Sequence, residues 1–254
     1  MPMVALLQKE VLEQWRTRRL WVLAAVFLFF GLLSPITAQL TPQIVRWAAE
    51  AAPGLVIQVP PPSVADAVAQ YLKNLSQVVP LAVVLVAMGS LVGEKEKGTL
   101  PMVLARPVSR GMVLAAKFLA LVLTLLVALA LGAVAAYYYT VVLFGGLPAG
   151  SFLLLNAAAG LFLLLVLALT FMASTVMPST VTAGALAFGL WLGLAAWAAL
   201  PRIGRASPVA LYGWASRLGL GQGGAGEWAA LGASLGLIAV ALLAAWLHFR
   251  RQEL

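Results

Sequence analysis

Cysteine is absent from the 254 residues, which excludes a disulfide scaffold, thiol redox chemistry and Cys-based metal sites. Charge is nearly as scarce: 9% of the residues are Asp, Glu, Lys or Arg, against about 25% in soluble domains. Between Phe118 and Pro201 there is no Asp, Glu, Lys, Arg or His at all. There is a single histidine, His248. No G-x-x-x-x-G-K-[ST] phosphate loop, H-E-x-x-H or acidic pair occurs, so neither ATP hydrolysis by this chain nor a metal centre has support in the sequence. What is present is apolar: 63% of the residues are hydrophobic and the mean hydropathy is +1.02. A water-soluble globule of this size could not hide so much apolar surface. The composition implies an all-α integral membrane protein. The 16 Lys and Arg exceed the 8 Asp and Glu, for a net charge of +8. They stand at the ends of apolar runs, where anionic lipid and membrane orientation explain them better than nucleic acid does.

A spanning helix needs about 20 apolar residues, and six runs qualify: 20–40, 77–93, 112–144, 152–177, 181–200 and 228–248. The first is not expected to be a cleaved signal, because a structured segment precedes it and it lacks a small-residue cleavage site. The third is longer than a bilayer requires, so tilt or projection is expected, with Tyr137, Tyr138 and Tyr139 at an interface. If both termini are cytoplasmic, eleven basic residues lie inside (Lys9, Arg16, Arg18, Arg19, Lys95, Lys97, Arg106, Arg110, Lys117, Arg250, Arg251) and five outside (Arg46, Lys73, Arg202, Arg205, Arg217). The positive-inside rule therefore favours cytoplasmic termini in a cell membrane.

Two extracytoplasmic segments are expected. In 41–76, Pro60-Pro61-Pro62 precedes a helix capped by Ser63, with Asp66 in its first turn and an apolar stripe of Val64, Val68, Tyr71, Leu72 and Leu75. That helix is expected to lie against the outer surface. In 201–227, Ser207-Pro208 opens a short helix carrying Tyr212 and Trp214, and Gly219–Gly226 forms a flexible connector. On the other side, 3–19 reads as an amphipathic interfacial helix. Val4, Leu7, Val11 and Trp15 share one face, and Lys9, Glu10, Glu13 and Arg16 lie mainly on the other.

The loop after the second span is the most informative stretch. It runs Gly93-Glu94-Lys95-Glu96-Lys97-Gly98-Thr99-Leu100-Pro101-Met102-Val103-Leu104-Ala105-Arg106-Pro107-Val108-Ser109-Arg110. Alternating charges, a Thr99 cap, a short apolar helix and Pro107 as its stop make 94–106 a structured element. An apolar helix with charge on both flanks invites a protein partner more than a solvated loop would.

With Lys9-Glu10 and the basic residues closing the N-terminal helix, and with Lys117-Phe118 downstream, this loop resembles the permease subunits of ABC-2-type transporters. The likeness is greatest to the subgroup containing the nitrous-oxide-reductase maturation permease. Its specific part covers about 90–118; six spans and cytoplasmic termini extend it architecturally over the chain. The resemblance implies a dimer of permeases, each docked through the 94–106 coupling element on a separate ATPase subunit that holds the ATP and Mg. Glu94, Glu96, Gly98, Thr99, Leu100, Met102 and Val103 would lie in that coupling region, with the N-terminal helix alongside. It further implies export, with no cofactor in this chain. The polar residues within the spans are few (Thr124, Asn156, Thr170, Ser174, Thr175, Thr180, Thr182), which suits a lipophilic or amphipathic cargo. A secondary carrier or channel, and a non-transporting mechanotransmitter docked to an ATPase, are the alternatives. The first is disfavoured by the missing intramembrane charge.

Other patterns carry less. Gly232-Ala233-Ser234-Leu235-Gly236 fits G-x-S-x-G but lies inside an apolar helix, and His248 would stand on the order of 20 Å along it from Ser234. Gly232 with Gly236, and Gly89 with Gly93, read instead as G-x-x-x-G helix-packing surfaces. Gly219–Gly224 fits G-x-G-x-x-G without a βαβ unit around it. Asn74-Leu75-Ser76 is a sequon that matters only in a secretory pathway.

Overall fold

The computed structural model describes residues 2–50, 60–98, 109–222 and 226–251, and among these every regular element is helical. In chain order they are α1 (Pro2–Arg16), α2 (Arg19–Glu50), α3 (Val64–Gln77), α4 (Val79–Ala87), α5 (Val92–Glu96), α6 (Arg110–Phe144), α7 (Ala149–Val176), α8 (Thr180–Ala198), α9 (Ala210–Gly219) and α10 (Trp228–Arg251). Six segments are long and apolar enough to cross a membrane: Arg19–Trp47, Val64–Glu96, Arg110–Phe144, Ala149–Val176, Thr180–Ala198 and Trp228–Arg251. These are the six expected spans, with the first two longer than the sequence implied.

The second span differs most. The helix expected on the outer surface is α3, and it continues the span instead of leaving it. Its Ser63–Asp66 capping box forms as expected. The stripe residues Val68, Tyr71, Leu72 and Leu75 are buried in the main core. Polar side chains fix it there. The Tyr71 hydroxyl donates to Asn156 Oδ1 at 2.7 Å, Asn74 Nδ2 to Ser34 Oγ at 2.9 Å, and the Tyr212 hydroxyl to the Leu75 carbonyl at 2.8 Å. A helix whose polar groups find partners on α2, α7 and α9 is more stable inside the bundle than on its surface.

The span most enclosed by its neighbours is α7, with 61% of its most apolar window buried, whereas α8 and α10 reach only 17% and 22%. Helices α2 and α6 approach closely where Gly31 and Gly132 let the backbones meet. A Cβ on Gly132 would stand 2.7 Å from the Phe27 carbonyl oxygen, and one on Gly31 would collide with the Gly132 carbonyl. The glycines singled out from the sequence behave otherwise. Gly89 sits against Thr180 and Arg19, but a Cβ on Gly93, Gly232 or Gly236 would meet nothing within 4 Å. Within this chain they are not packing positions; their helix faces look outward.

At the end of the bundle that carries both α1 and the last turn of α10, Arg110 Nη1 donates to the Arg250 carbonyl at 3.1 Å. A turn at Thr17–Arg18 joins α1 to α2, with Arg18 in the left-handed region at φ 62°. The buried line of α1 is Leu6, Glu10 and Gln14, while Val4, Val11, Leu12 and Trp15 are exposed. The apolar stripe read from the sequence is therefore the outward face. The inward face is selected by a charge, Glu10, whose partner lies far away in the chain.

Candidate functional site

Lys117 lies two turns into α6, which starts at the Ser109 cap. A lone ammonium two turns inside an apolar run needs partners, because an unpaired charge there costs several kcal/mol. Two arrive from different elements. Lys117 Nζ is 2.9 Å from Glu10 Oε2 of α1 and 2.7 Å from Glu94 Oε1 of α5. The Lys117 and Glu10 side chains are only 2% and 3% exposed, and Glu94 is 13% exposed. Lys9 closes the cluster from outside, 3.0 Å from Glu10 Oε1, 3.8 Å from Glu13 and 4.0 Å from Glu94. Burial pushes the Lys9 pKa down, but the hydrogen bond and charge of Glu10 and the charges of Glu94 and Glu13 outweigh it and hold Lys9 above its ordinary value. Lys9 therefore stays protonated at neutral pH. Glu10, Glu13 and Glu94 each place one oxygen within 4.8 Å of the others, a spacing that a cation would also accept; the two lysine ammoniums supply the counter-charge.

The rest of the Glu-Lys-Glu motif is equally committed. Span two breaks over Met88–Leu91 between α4 and α5. A break inside the bundle leaves backbone N–H groups that must be satisfied. Ser174 Oγ of α7 accepts from Leu91 N at 3.0 Å and from Val92 N at 3.2 Å, and Ser90 Oγ lies 3.3 Å from it. Arg19 Nη2 donates to the Gly89 carbonyl at 3.3 Å. Next, Lys95 Nζ donates to the Thr175 carbonyl. Glu96 accepts from Thr180 N at 2.9 Å and from Thr180 Oγ1 at 2.6 Å, at the N-terminus of α8, where a carboxylate also complements the helix dipole. Gly98 follows at φ +66°, a conformation that side chains disfavour, and its N–H donates to the Lys95 carbonyl at 3.0 Å, ending α5.

The three consecutive charges thus each hold a different structure: Glu94 the base of α6 together with α1, Lys95 the end of α7, Glu96 the start of α8. Of the residues expected in the coupling region, Glu94 bonds to buried Lys117 and Glu96, which is exposed, bonds to Thr180 of its own chain. The physical reason is the same for each: a carboxylate beside a buried ammonium or an open helix N-terminus is better satisfied there than in water. The remaining coupling candidates, Thr99, Leu100, Met102 and Val103, with the rest of 99–108, lie outside the described residues. The residue that sequence reasoning underrated is Lys117, counted for orientation and quoted in the resemblance but given no role. Its signal was present: a lysine within an apolar run, in a chain whose nearby segments carry Glu10 and Glu94.

The arrangement is a link between helices. It joins α1, α5 and the base of α6, and through α5 reaches the α7–α8 turn. Comparison with known proteins agrees with a transport role. The family described as ABC-2 family transporter protein matches residues 4–254. An uncharacterized transmembrane protein, YxlG, of Bacillus subtilis (strain 168) is 29% identical over 191 residues, covering 74% of this chain and 73% of that protein. With the match running over nearly its whole length and six helices able to span a bilayer, the chain belongs to the ABC-2 family of transporter membrane proteins.

Proposed function

We propose that this chain is the permease subunit of an ATP-binding cassette exporter, driven by ATP hydrolysed on a separate subunit that docks against the 94–106 element. The observation that carries the proposal is the Lys117 ion cluster. It ties α1, α5 and α6 together at the sequence entrance to residues 99–108, with Lys117 2.7 Å from Glu94. A partner that pushes on the loop would move α5, and α5 cannot move without drawing on α1, the base of the third span and the α7–α8 turn. The exposed face of α1, with Val11, Leu12 and Trp15, is available to the same partner or to the lipid interface.

Cytoplasmic termini in a cell membrane are part of this reading, supported by the eleven basic residues assigned to the inner segments against five outside. A second permease copy suits the two least enclosed spans, which carry open small-residue faces: Gly189 and Gly193 on α8, Gly232 and Gly236 on α10, none with an atom within 4 Å of a built Cβ. Close backbone approach at such faces is a common mode of helix association in lipid. A lipophilic or amphipathic cargo fits the uncharged stretch from Phe118 to Pro201, which spans most of α6, all of α7 and all of α8.

The docking element is tested by Leu100→Asp and Met102→Asp. Each should lower ATPase co-purification by tenfold or more, because an aspartate in an apolar contact forfeits its burial and adds desolvation cost. The variants should insert and fold as the parent does, read by protease protection of the spans. Undiminished association of both variants would remove 94–106 from the docking surface.

A further inference from the structure

We propose that Glu96 is the positioning residue through which movement of α5 is passed to the fifth span, and that α8 is the helix that moves. The inference rests on the permease reading above and adds to it which span the stroke displaces. Among the described residues α8 is the span held least. Only 17% of its most apolar window is buried, and Ala183, Ala187 and Leu194 are the residues it encloses. Its attachments to the second span gather at its first turns. Glu96 Oε1 accepts from Thr180 N at 2.9 Å and Glu96 Oε2 from Thr180 Oγ1 at 2.6 Å. A Cβ on Gly89 would stand 3.5 Å from Thr180 Cγ2, and one on Gly184 would lie 2.7 Å from Met88 Sδ. The start of α8 is therefore seated on both sides of the break in the second span, against Met88 and Gly89 before it and on Glu96 beyond it.

The same push on α5 falls on α7 and α8 with different results. Ser174 and Thr175 tie α5 to α7, but α7 is the most enclosed span, with 61% of its window buried. A close-packed interior does not yield to a small displacement. Helix α8 has room. A cleft of about 310 Å³ lies beside Thr180, bounded by Arg19 and Val22 of α2 and by Leu85 and Met88 of the second span. Near its other end α8 is pinned, where Ser207 Oγ donates to the Leu194 carbonyl at 3.2 Å. The helix is a lever, driven at its N-terminal end and held near its C-terminal end. A carboxylate gripped by two donors suits the driven end, because charge-assisted hydrogen bonds are about twice as strong as neutral ones.

The chain has no cysteine, so spin labels can be placed at will. Ala185→Cys and Leu243→Cys put one label on the exposed face of α8 and one on that of α10. In the full chain complexed with the ATPase that accompanies it, pulsed EPR should show ATP shifting this distance by about 1–2 Å or more. A Leu153→Cys and Leu243→Cys pair, on α7 and α10, should keep its distance. Glu96→Ala should abolish the α8 shift in complexes matched for bound ATPase. Glu96→Gln, whose amide oxygen still accepts from Thr180, should retain most of it. The attachment is also read on the chain alone: Glu96→Ala should speed hydrogen exchange of the first-turn amides of α8 about tenfold, the loss of a hydrogen bond to a charged group, and leave those of α7 unchanged. A shift that survives Glu96→Ala, one lost equally in Glu96→Gln, an α8 that stays still in a hydrolysing complex, or exchange unaltered by Glu96→Ala would each overturn the proposal. A parent chain that brings no ATPase contradicts the permease reading instead, and the exchange result still decides the attachment.

Discussion

Replacing Lys117 by alanine is expected to destabilise the folded chain by about 3–5 kcal/mol, because it leaves buried carboxylate without its ammonium. Glu10 is the sharper problem of the two, with a side chain 3% exposed and Lys117 at 2.9 Å. Lys9 remains 3.0 Å from Glu10 but is 45% exposed, and its pull is weakened by solvent. The loss should appear as a lower unfolding temperature in detergent, with α1 becoming accessible to protease before the spans. Removing the charges together should reverse most of it. Lys117→Leu combined with Glu10→Leu and Glu94→Gln leaves no orphaned ion, and such apolar replacements of buried ion groups are often neutral or stabilising. The restored variant separates folding from function: it should fold yet transmit ATP-driven movement poorly, since the tie between α1, α5 and α6 is gone. A loss below about 1 kcal/mol for Lys117→Ala would instead class the cluster with ordinary surface ion pairs.

The second large effect is steric. Gly132→Leu should cost about 3 kcal/mol or more, because the side chain must enter where two helix backbones meet and no rotamer can avoid them. Even Gly132→Ala puts a Cβ 2.7 Å from the Phe27 carbonyl oxygen. In a helix, alanine is otherwise favoured over glycine by about 1 kcal/mol, so the sign of the change is diagnostic. Gly150 of α7, where a Cβ meets nothing within 4 Å, should tolerate alanine without loss of thermal stability, whereas Gly132→Ala should lower it. Equal behaviour at the two positions would contradict the α2–α6 contact.

Apolar run length and basic-residue placement were enough to read the all-helical architecture and the six spans, because bilayer thickness imposes a length that few other structures need. The family resemblance was legible in 90–118 and in the N-terminal helix. Three features were not. The buried face of α1 was not read at all, because periodicity ranks Val4, Leu7, Val11 and Trp15 above Glu10, and only a lysine 107 residues later makes Glu10 the buried residue. Helix α3 read as a surface element because its stripe is narrow; the contacts that draw it inward, Tyr71 to Asn156 and Asn74 to Ser34, are long-range hydrogen bonds. The close helix packing was sought in G-x-x-x-G spacing, whereas the glycines that carry it, Gly31 and Gly132, stand singly on two different helices and are paired only by the fold. Within the Glu-Lys-Glu motif, residue types pointed to a structured loop, but only the geometry shows each charge turned to a separate element of its own chain.

The measurement that bears most directly on the central claim is purification of the full chain from its native membrane in mild detergent, followed by an ATPase assay on what accompanies it. A separate ATP-hydrolysing subunit should be recovered in stoichiometric amount, and its association should fall away in Leu100→Asp. A chain recovered alone, and still conducting or exchanging solute when reconstituted without ATP, would contradict the permease reading and make the protein a carrier or channel.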